Sequence, residues 1–350
     1  MSRRVLVTGG SGFLGRRLVE MLMARGDAVR VFCRGEYPDL AASGAEVAQG
    51  DLRDEQAVAA ACAGMDAVCH VAALAGVWGR REDFHQINVR GTANVLNGCR
   101  MAKVPVLLYT SSPSVAIGTE DICGGDESLP YPRTYLADYP ATKAIAERMV
   151  LDANGWEMVS NTPEPLPDPG GVRRLRTCSL RPHLIYGPGD PHLVPRLLQV
   201  AQAGRLRPVG KGDNRVDITF VDNAAHAHVQ ALDELFGEGR CAGRAYFIGD
   251  AEPVNLWHWV RDLLREVGIR PLGRPIPFRL AYAIGAFLEG VYRLFPRLGD
   301  PPMTRFVAVQ FARSHFFDHG AAHRDFGYVP AVSPEDAWQF LVRWCKCHTK

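Results

Sequence analysis

The run Thr8-Gly9-Gly10-Ser11-Gly12-Phe13-Leu14-Gly15 sets Gly9, Gly12 and Gly15 three residues apart, between a short apolar stretch and a helical pattern. Arg4 to Thr8 reads as a buried strand, and from Phe13 to Ala24 the apolar residues Leu14, Leu18, Met21 and Leu22 return at helical spacing. Glycines at this spacing also occur in an ordinary strand-to-helix turn, but here they begin at residue 9, follow a strand and precede a second strand at the right interval. Gly9 makes the tight turn, Gly12 lets the backbone approach a dinucleotide pyrophosphate, and Gly15 lets the helix pack on the strand. The helix start adds free N–H groups and the positive dipole end, so Gly9, Gly12, Phe13, Leu14 and Gly15 form the expected phosphate cradle.

Strand-helix alternation continues through Ala28 to Cys33, Ala45 to Gln49, Ala67 to Val71, Val106 to Ser111 and Arg176 to Leu180. Helical segments such as Glu55 to Ala63 and Asp83 to Ala102 lie between them. Such a pattern predicts an α/β fold, a doubly wound parallel sheet with helices on both faces. After Arg181 it breaks into helices near Leu193 to Gln202, Asn223 to Phe236 and Leu256 to Val267, with short strands at Asp217 to Val221 and Ala245 to Ile248. We therefore expect a dinucleotide-binding domain over residues 1–182 and a smaller, mostly helical substrate lobe over 183–350, with interleaved strands returning to the sheet. A surface insertion is expected at about 157–172, where Asn161 to Gly171 holds four prolines and two glycines.

Composition excludes several classes. A formal net charge of +2, with basic residues matched by nearby acids, gives no footprint for nucleic acid. The nine cysteines form no CxxC pair, so they are expected as reduced thiols, with no metal site and a cytoplasmic location. Met1-Ser2-Arg3-Arg4 leads directly into a strand, so no signal peptide is expected. The longest uncharged apolar run, Leu280 to Leu288, is nine residues, less than half of the roughly 20 that a membrane span needs.

The tip of the second strand selects the dinucleotide, because an acid there bonds the ribose hydroxyls of NAD and a base accommodates the 2′-phosphate of NADP. Here the tip reads Cys33-Arg34, which favours NADP; nearby Glu36 is the residue that keeps NAD open. Asp51 and Leu52 beyond the third strand, and Ala72 and Ala73 after the fourth, fall where the adenine and its ribose would lie. Tyr139-Pro-Ala-Thr-Lys143 places a phenol and an ammonium four residues apart on one helical face. Lysine and a positive nicotinamide would favour the phenolate, making Tyr139 an acid or base toward a carbonyl. Ser112 can polarise that carbonyl, with Ser111 and Ser114 as competitors. Asn88 either anchors a link behind the lysine or ties helix to strand as a buried amide. Pro182 is expected beside the cofactor, and His183 either borders the nicotinamide pocket or is structural.

With these residues in hand, the chain resembles the extended short-chain dehydrogenase/reductases, and among them the 3β-hydroxysteroid dehydrogenase-like branch. TGGSGFLG, HVAA, INVRGT, YTSS, YPATK, SLRPHLIYGPGD, FVDNAAHAH and RDFGYVP carry the resemblance over nearly the whole chain. A closer similarity, through AGVWG, HQINVRGT and PPMTRF, is to the bacterial 2-alkyl-3-oxoalkanoate reductases, and a second, through DESLPYP and RPHLIYGPGDPHLVP, is to the sterol 4α-carboxylate 3-dehydrogenases. The resemblance implies a Rossmann-type fold, a homodimer, and hydride exchange at a secondary alcohol or ketone. It also implies that Tyr139 moves the proton, Lys143 holds the ribose and tunes Tyr139, and Ser112 polarises the carbonyl.

Phe278 to Phe295 is rich in aromatic and aliphatic residues, with Arg279, Glu289 and Arg293 as its only charges. A long acyl or steroid substrate would need such a lobe. The same segment can lie along a bilayer interface or serve as a core helix. A nucleotide-sugar epimerase or dehydratase of the same fold would need a polar, basic lobe instead. A dinucleotide-sensing protein without chemistry would be expected to lack Tyr139 or Lys143.

Overall fold

The computed structural model describes residues 2–158, 174–269 and 272–348. Its first half runs β1 (Arg4–Thr8), α1 (Phe13–Ala24), β2 (Ala28–Cys33), α2 (Pro38–Ala42), β3 (Glu46–Gln49), α3 (Glu55–Cys62), β4 (Ala67–His70), α4 (Arg81–Phe84), α5 (Gly91–Ala102), β5 (Val106–Thr110), β6 (Ile122–Gly125) and α6 (Asp138–Asp152). There follow β7 (Arg176–Pro182), β8 (Ile185–Tyr186), α7 (Leu193–Gln202), β9 (Arg215–Val216), β10 (Thr219–Phe220), α8 (Val221–Phe236), β11 (Arg244–Ile248) and β12 (Val254–Asn255). The chain closes with α9 (Leu256–Glu266), α10 (Phe278–Leu294), α11 (Arg305–Ala312), β13 (His315–Phe317), α12 (Gly320–Phe326) and α13 (Pro334–His348).

Seven parallel strands form one sheet in the order β11-β7-β5-β4-β1-β2-β3. Side-chain alternation explains why the strands read as continuous apolar runs. Val5 and Val7 enter the core under α1 and α8, whereas Leu6 between them enters the core under α3, α5 and α6. Val106 and Leu108 divide from Leu107 in the same way, so both faces are buried. The chain order reverses between β1 and β4, the point at which doubly wound sheets bind ligands at the carboxyl ends of their strands.

A further core lies outside this sheet, where Val194, Leu198, Trp257, Val260, Leu264 and Leu341 pack together. The helical region is tied to the first half twice: β11 is an edge strand of the seven-stranded sheet, and β6 from the first half pairs with β13 in a separate small sheet ordered β12-β9-β13-β6. Two elements depart from the sequence expectation. The segment expected as one helix from Asp83 to Ala102 is broken by a π-helical turn, His85–Arg90. Its wider turn leaves Asn88 facing the loop after β4 and α6. The strand expected at Asp217 to Val221 shrinks to Thr219–Phe220, and α8 begins at Val221. The proline-rich stretch Asn161 to Gly171 lies outside the described residues.

Candidate active site

The glycine turn has the geometry a pyrophosphate needs. Gly9 adopts φ +70°, and a side chain there would meet the Ala72 backbone at 2.8 Å. A Cβ on Gly15 would lie 2.1 Å from the Gly9 carbonyl oxygen, so α1 could not pack against the turn. Among the described residues the only atom close to a Cβ at Gly12 is the Gly9 oxygen, at 3.3 Å. Gly12 caps α1 without a side-chain hydrogen bond and no acid follows in the first turn, so the first N–H groups of the helix are left available to an anion. The Leu14 side chain is buried in the core, and Phe13 is partly buried. These residues fit a dinucleotide.

Arg34 is exposed at the tip of β2 and lies close enough to the Asp51 carboxylate to help hold its pKa down, after the larger effect of Arg53. Leu52 is buried, and its carbonyl accepts from Asn94 at 2.7 Å. Ala72 is locked against the glycine turn, its N–H donating to Thr8 Oγ1 at 3.2 Å; Ala73 follows half-buried. Pro182 ends β7, buried.

Tyr139 sits in the first turn of α6, where Pro140 is tolerated. Burial raises its pKa above the ordinary phenol value, and a hydrogen bond with Ser112 opposes that rise. The expected bias toward phenolate is therefore corrected for the protein alone: desolvation keeps the proton on Tyr139. Burial also pushes Lys143 down to about 7, against the upward pull of Glu147. Only 2% exposed, Lys143 donates to the Thr110 carbonyl at 2.5 Å and stands 4.2 Å from the centre of the Tyr109 ring.

Three serines competed for the carbonyl, and alternation separates two of them. Ser111 points into the interior toward Glu147, while Ser112 faces Tyr139 and bonds Ser114 Oγ at 2.9 Å. Asn88 is spent as a tie. Its Nδ2 donates to the Leu74 carbonyl and Thr142 Oγ1, each at 3.1 Å, and its Oδ1 accepts the Leu74 N–H at 2.7 Å. It holds the loop after β4 against the helix of Tyr139 and makes no bond to Lys143. His183 is buried, with Nδ1 2.8 Å from the Asp217 carbonyl and its ring edge-on to His315.

Two networks escaped the sequence reading. Glu147, fully buried one turn after Lys143, pairs with Arg181 at 2.7 Å and accepts from Tyr131 at 2.7 Å and Ser179 at 2.8 Å. Burial alone would raise its pKa, but Arg181 outweighs it and the carboxyl titrates below its ordinary value. The pair clamps α6 to the end of β7. On the other side, His70 lies 2.7 Å from Thr8 Oγ1 and 3.0 Å from Thr92 Oγ1, and Thr92 donates to the Asn88 carbonyl at 2.6 Å. Burial lowers His70 to about 3, so it is neutral; with the Thr92 proton committed, Nε2–H donates to Thr92 and Nδ1 accepts from Thr8. The glycine turn and the Asn88 tie are thus joined by one satisfied chain.

A cavity of about 300 Å³ opens beside this centre. Leu136, Ala137 and Asp138, just before Tyr139, form one wall; Trp78 and Phe84 form a second, and Tyr292 and Arg293 of α10 a third.

A family model described as the 3-beta hydroxysteroid dehydrogenase/isomerase family matches residues 6–280. The chain is 46% identical over 336 residues to a 2-alkyl-3-oxoalkanoate reductase of Shewanella oneidensis, covering 96% of this chain and 84% of that one. It is likewise 46% identical over 340 residues to a 2-alkyl-3-oxoalkanoate reductase of Stenotrophomonas maltophilia, covering 97% and 98%. A sterol-4-alpha-carboxylate 3-dehydrogenase, decarboxylating, of Mus musculus is 33% identical, covering 98% and 91%. Among solved structures, MoeE5 in complex with UDP-glucose and NAD superposes with a TM-score of 0.72 at 23% identity over 99% of this chain and 100% of that one, a likeness of fold alone.

Proposed function

The chain belongs to the 3-beta hydroxysteroid dehydrogenase/isomerase family and is an NAD(P)-dependent oxidoreductase of the CH–OH group; from that premise we propose that it reduces a hydrophobic β-keto acid, a 2-alkyl-3-oxoalkanoate, with NADPH. The substrate reading is supported chiefly by the 46% identity to two reductases so named, against 33% to the sterol dehydrogenase. A 3-hydroxysteroid is the second reading, favoured by 36% identity to a Mycobacterium tuberculosis protein named for that substrate.

Hydride for the ketone carbon is the chemistry that a bound reduced nicotinamide supplies. Ser112 donates to the ketone oxygen and Tyr139 gives it a proton, so that the product is a secondary alcohol. Lys143, held by the Thr110 carbonyl, anchors the ribose hydroxyls, while Asn88 positions α6 without touching substrate. Gly9, Gly12, Phe13, Leu14 and Gly15 hold the pyrophosphate, and Asp51, Leu52, Ala72, Ala73 and Pro182 border the nucleosides. Residues 1–182 act as the cofactor domain and 183–350 as the substrate lobe. The protein works in the cytoplasm as a homodimer, with peripheral membrane contact through 278–295.

Arg34 selects NADPH through its 2′-phosphate. Purified protein should oxidise NADPH in the presence of a 2-alkyl-3-keto acid, and Arg34→Glu should lower kcat/KM with NADPH by about tenfold or more, the value of one charge-assisted bond. Equal loss with NADPH and NADH would remove that role from Arg34. No turnover of any β-keto acid, with turnover of a 3-hydroxysteroid, would replace the substrate class.

A further inference from the structure

Helix α10 has two working faces. Ala281, Gly285 and Glu289 are buried against the lobe, and Glu289 is neutralised there by Arg305 at 2.7 Å. On the opposite face Leu280, Ile284 and Phe287 recur every three or four residues, Leu294 follows two turns later, and Phe295 and Leu298 continue the ridge. Phe287 is 70% and Leu294 74% exposed. Among the described residues, six of the ten exposed large apolar side chains fall between Leu280 and Leu298, so the apolar surface is concentrated rather than scattered.

The charge around the ridge has one sign. Arg274, Arg279 and Arg297 are exposed, and none makes an ion pair with a described residue, whereas Arg293 turns to the Trp78 ring, 5.7 Å from its centre. Across 272–300 the only acids are the buried, paired Glu289 and the exposed Asp300. Among the described residues no helix is long and apolar enough to cross a membrane. An apolar ridge flanked by unpaired arginines matches a surface that is apolar below and anionic above.

We infer that the Leu280–Leu298 ridge docks on an anionic lipid bilayer surface, with α10 lying in the headgroup plane. Behind the ridge the same helix lends Tyr292 and Arg293 to the cavity whose far wall ends at Asp138, the residue before Tyr139, so docking of this face sets the bilayer beside that cavity. This rests on the peripheral contact proposed above and assigns its lipid partner and its face.

The full-length protein is sedimented with vesicles of phosphatidylcholine alone or with 30% phosphatidylglycerol (about 30%, enough for an anionic surface). We expect wild type to bind the anionic vesicles and to release as salt rises. Arg279→Glu with Arg297→Glu should weaken binding at least tenfold, at about fivefold per charge removed. Phe287→Ser with Leu294→Ser should do the same, and both pairs should keep wild-type turnover of a short, soluble 3-keto acid. Wild type that stays in the supernatant, or variants that change oligomeric state while binding vesicles as wild type does, would overturn the inference. Failure to turn over any keto acid would instead strike the proposed reaction and leave the sedimentation result standing.

Discussion

Tyr139→Phe should lower kcat by about 10²–10⁴-fold while NADPH binds as in wild type, because the change removes one proton donor and almost no volume. Single-turnover kinetics with bound NADPH is the measurement. The size of the loss follows from the setting. Burial raises the phenol's pKa in the free protein, so the hydroxyl carries its proton at neutral pH, as an acid in the reductive direction must. Ser112 bonds the same phenol and would remain to polarise the carbonyl, which leaves the variant some residual rate. A kcat within threefold of wild type would remove Tyr139 from the proton path.

Glu147→Gln should cost about 3–5 kcal/mol of stability in equilibrium urea unfolding, because it strands the Arg181 guanidinium in the interior. Glu147 is fully buried and Arg181 nearly so, and one Arg181 nitrogen already lacks a partner among the described residues. The sign of the pH dependence is fixed by the folded-state shift. Since Glu147 titrates below its ordinary value in the fold, its contribution is complete above the unfolded pKa of about 4.3 and fades as pH falls through the folded value. A loss under about 1 kcal/mol, or one that grows as pH falls below 4, would contradict the clamp.

The outline was legible wherever local pattern and tertiary demand agree. Strands β1 and β2 and helices α1 and α7 begin and end where apolar spacing places them, and the glycine turn meets Ala72 as a dinucleotide cradle requires. Strands β6 and β13 went unread because each has only three or four residues, and they exist by pairing segments nearly two hundred positions apart. The π-helical turn at Asn88 escaped for a related reason: its cause is the tie to Leu74 and Thr142, which no local spacing encodes.

Within the site, the motif residues Tyr139, Lys143 and the glycines were legible, but their support was not. Two signals for the Glu147 clamp were present. Arg181 interrupts an apolar strand, and Glu147 follows Lys143 at helical spacing, on the face that must be buried if Lys143 is. Strand alternation likewise separates Ser111 from Ser112 once one of them is assigned to the interior. The phenolate expectation counted neighbouring charge, including a positive nicotinamide, and left out desolvation, which is the largest influence on both Tyr139 and Lys143 in the protein alone.

The central claim is that hydride passes to the 3-carbon of a β-keto acid while Tyr139 supplies the proton. Mass spectrometry of the product formed with NADPH deuterated at the transferring C4 position tests it most directly. One deuterium at C3 of a 2-alkyl-3-hydroxy acid, formed about 10²–10⁴-fold more slowly by Tyr139→Phe, is the predicted result. An unlabelled product, or label appearing only in a nucleotide sugar offered in its place, would contradict it.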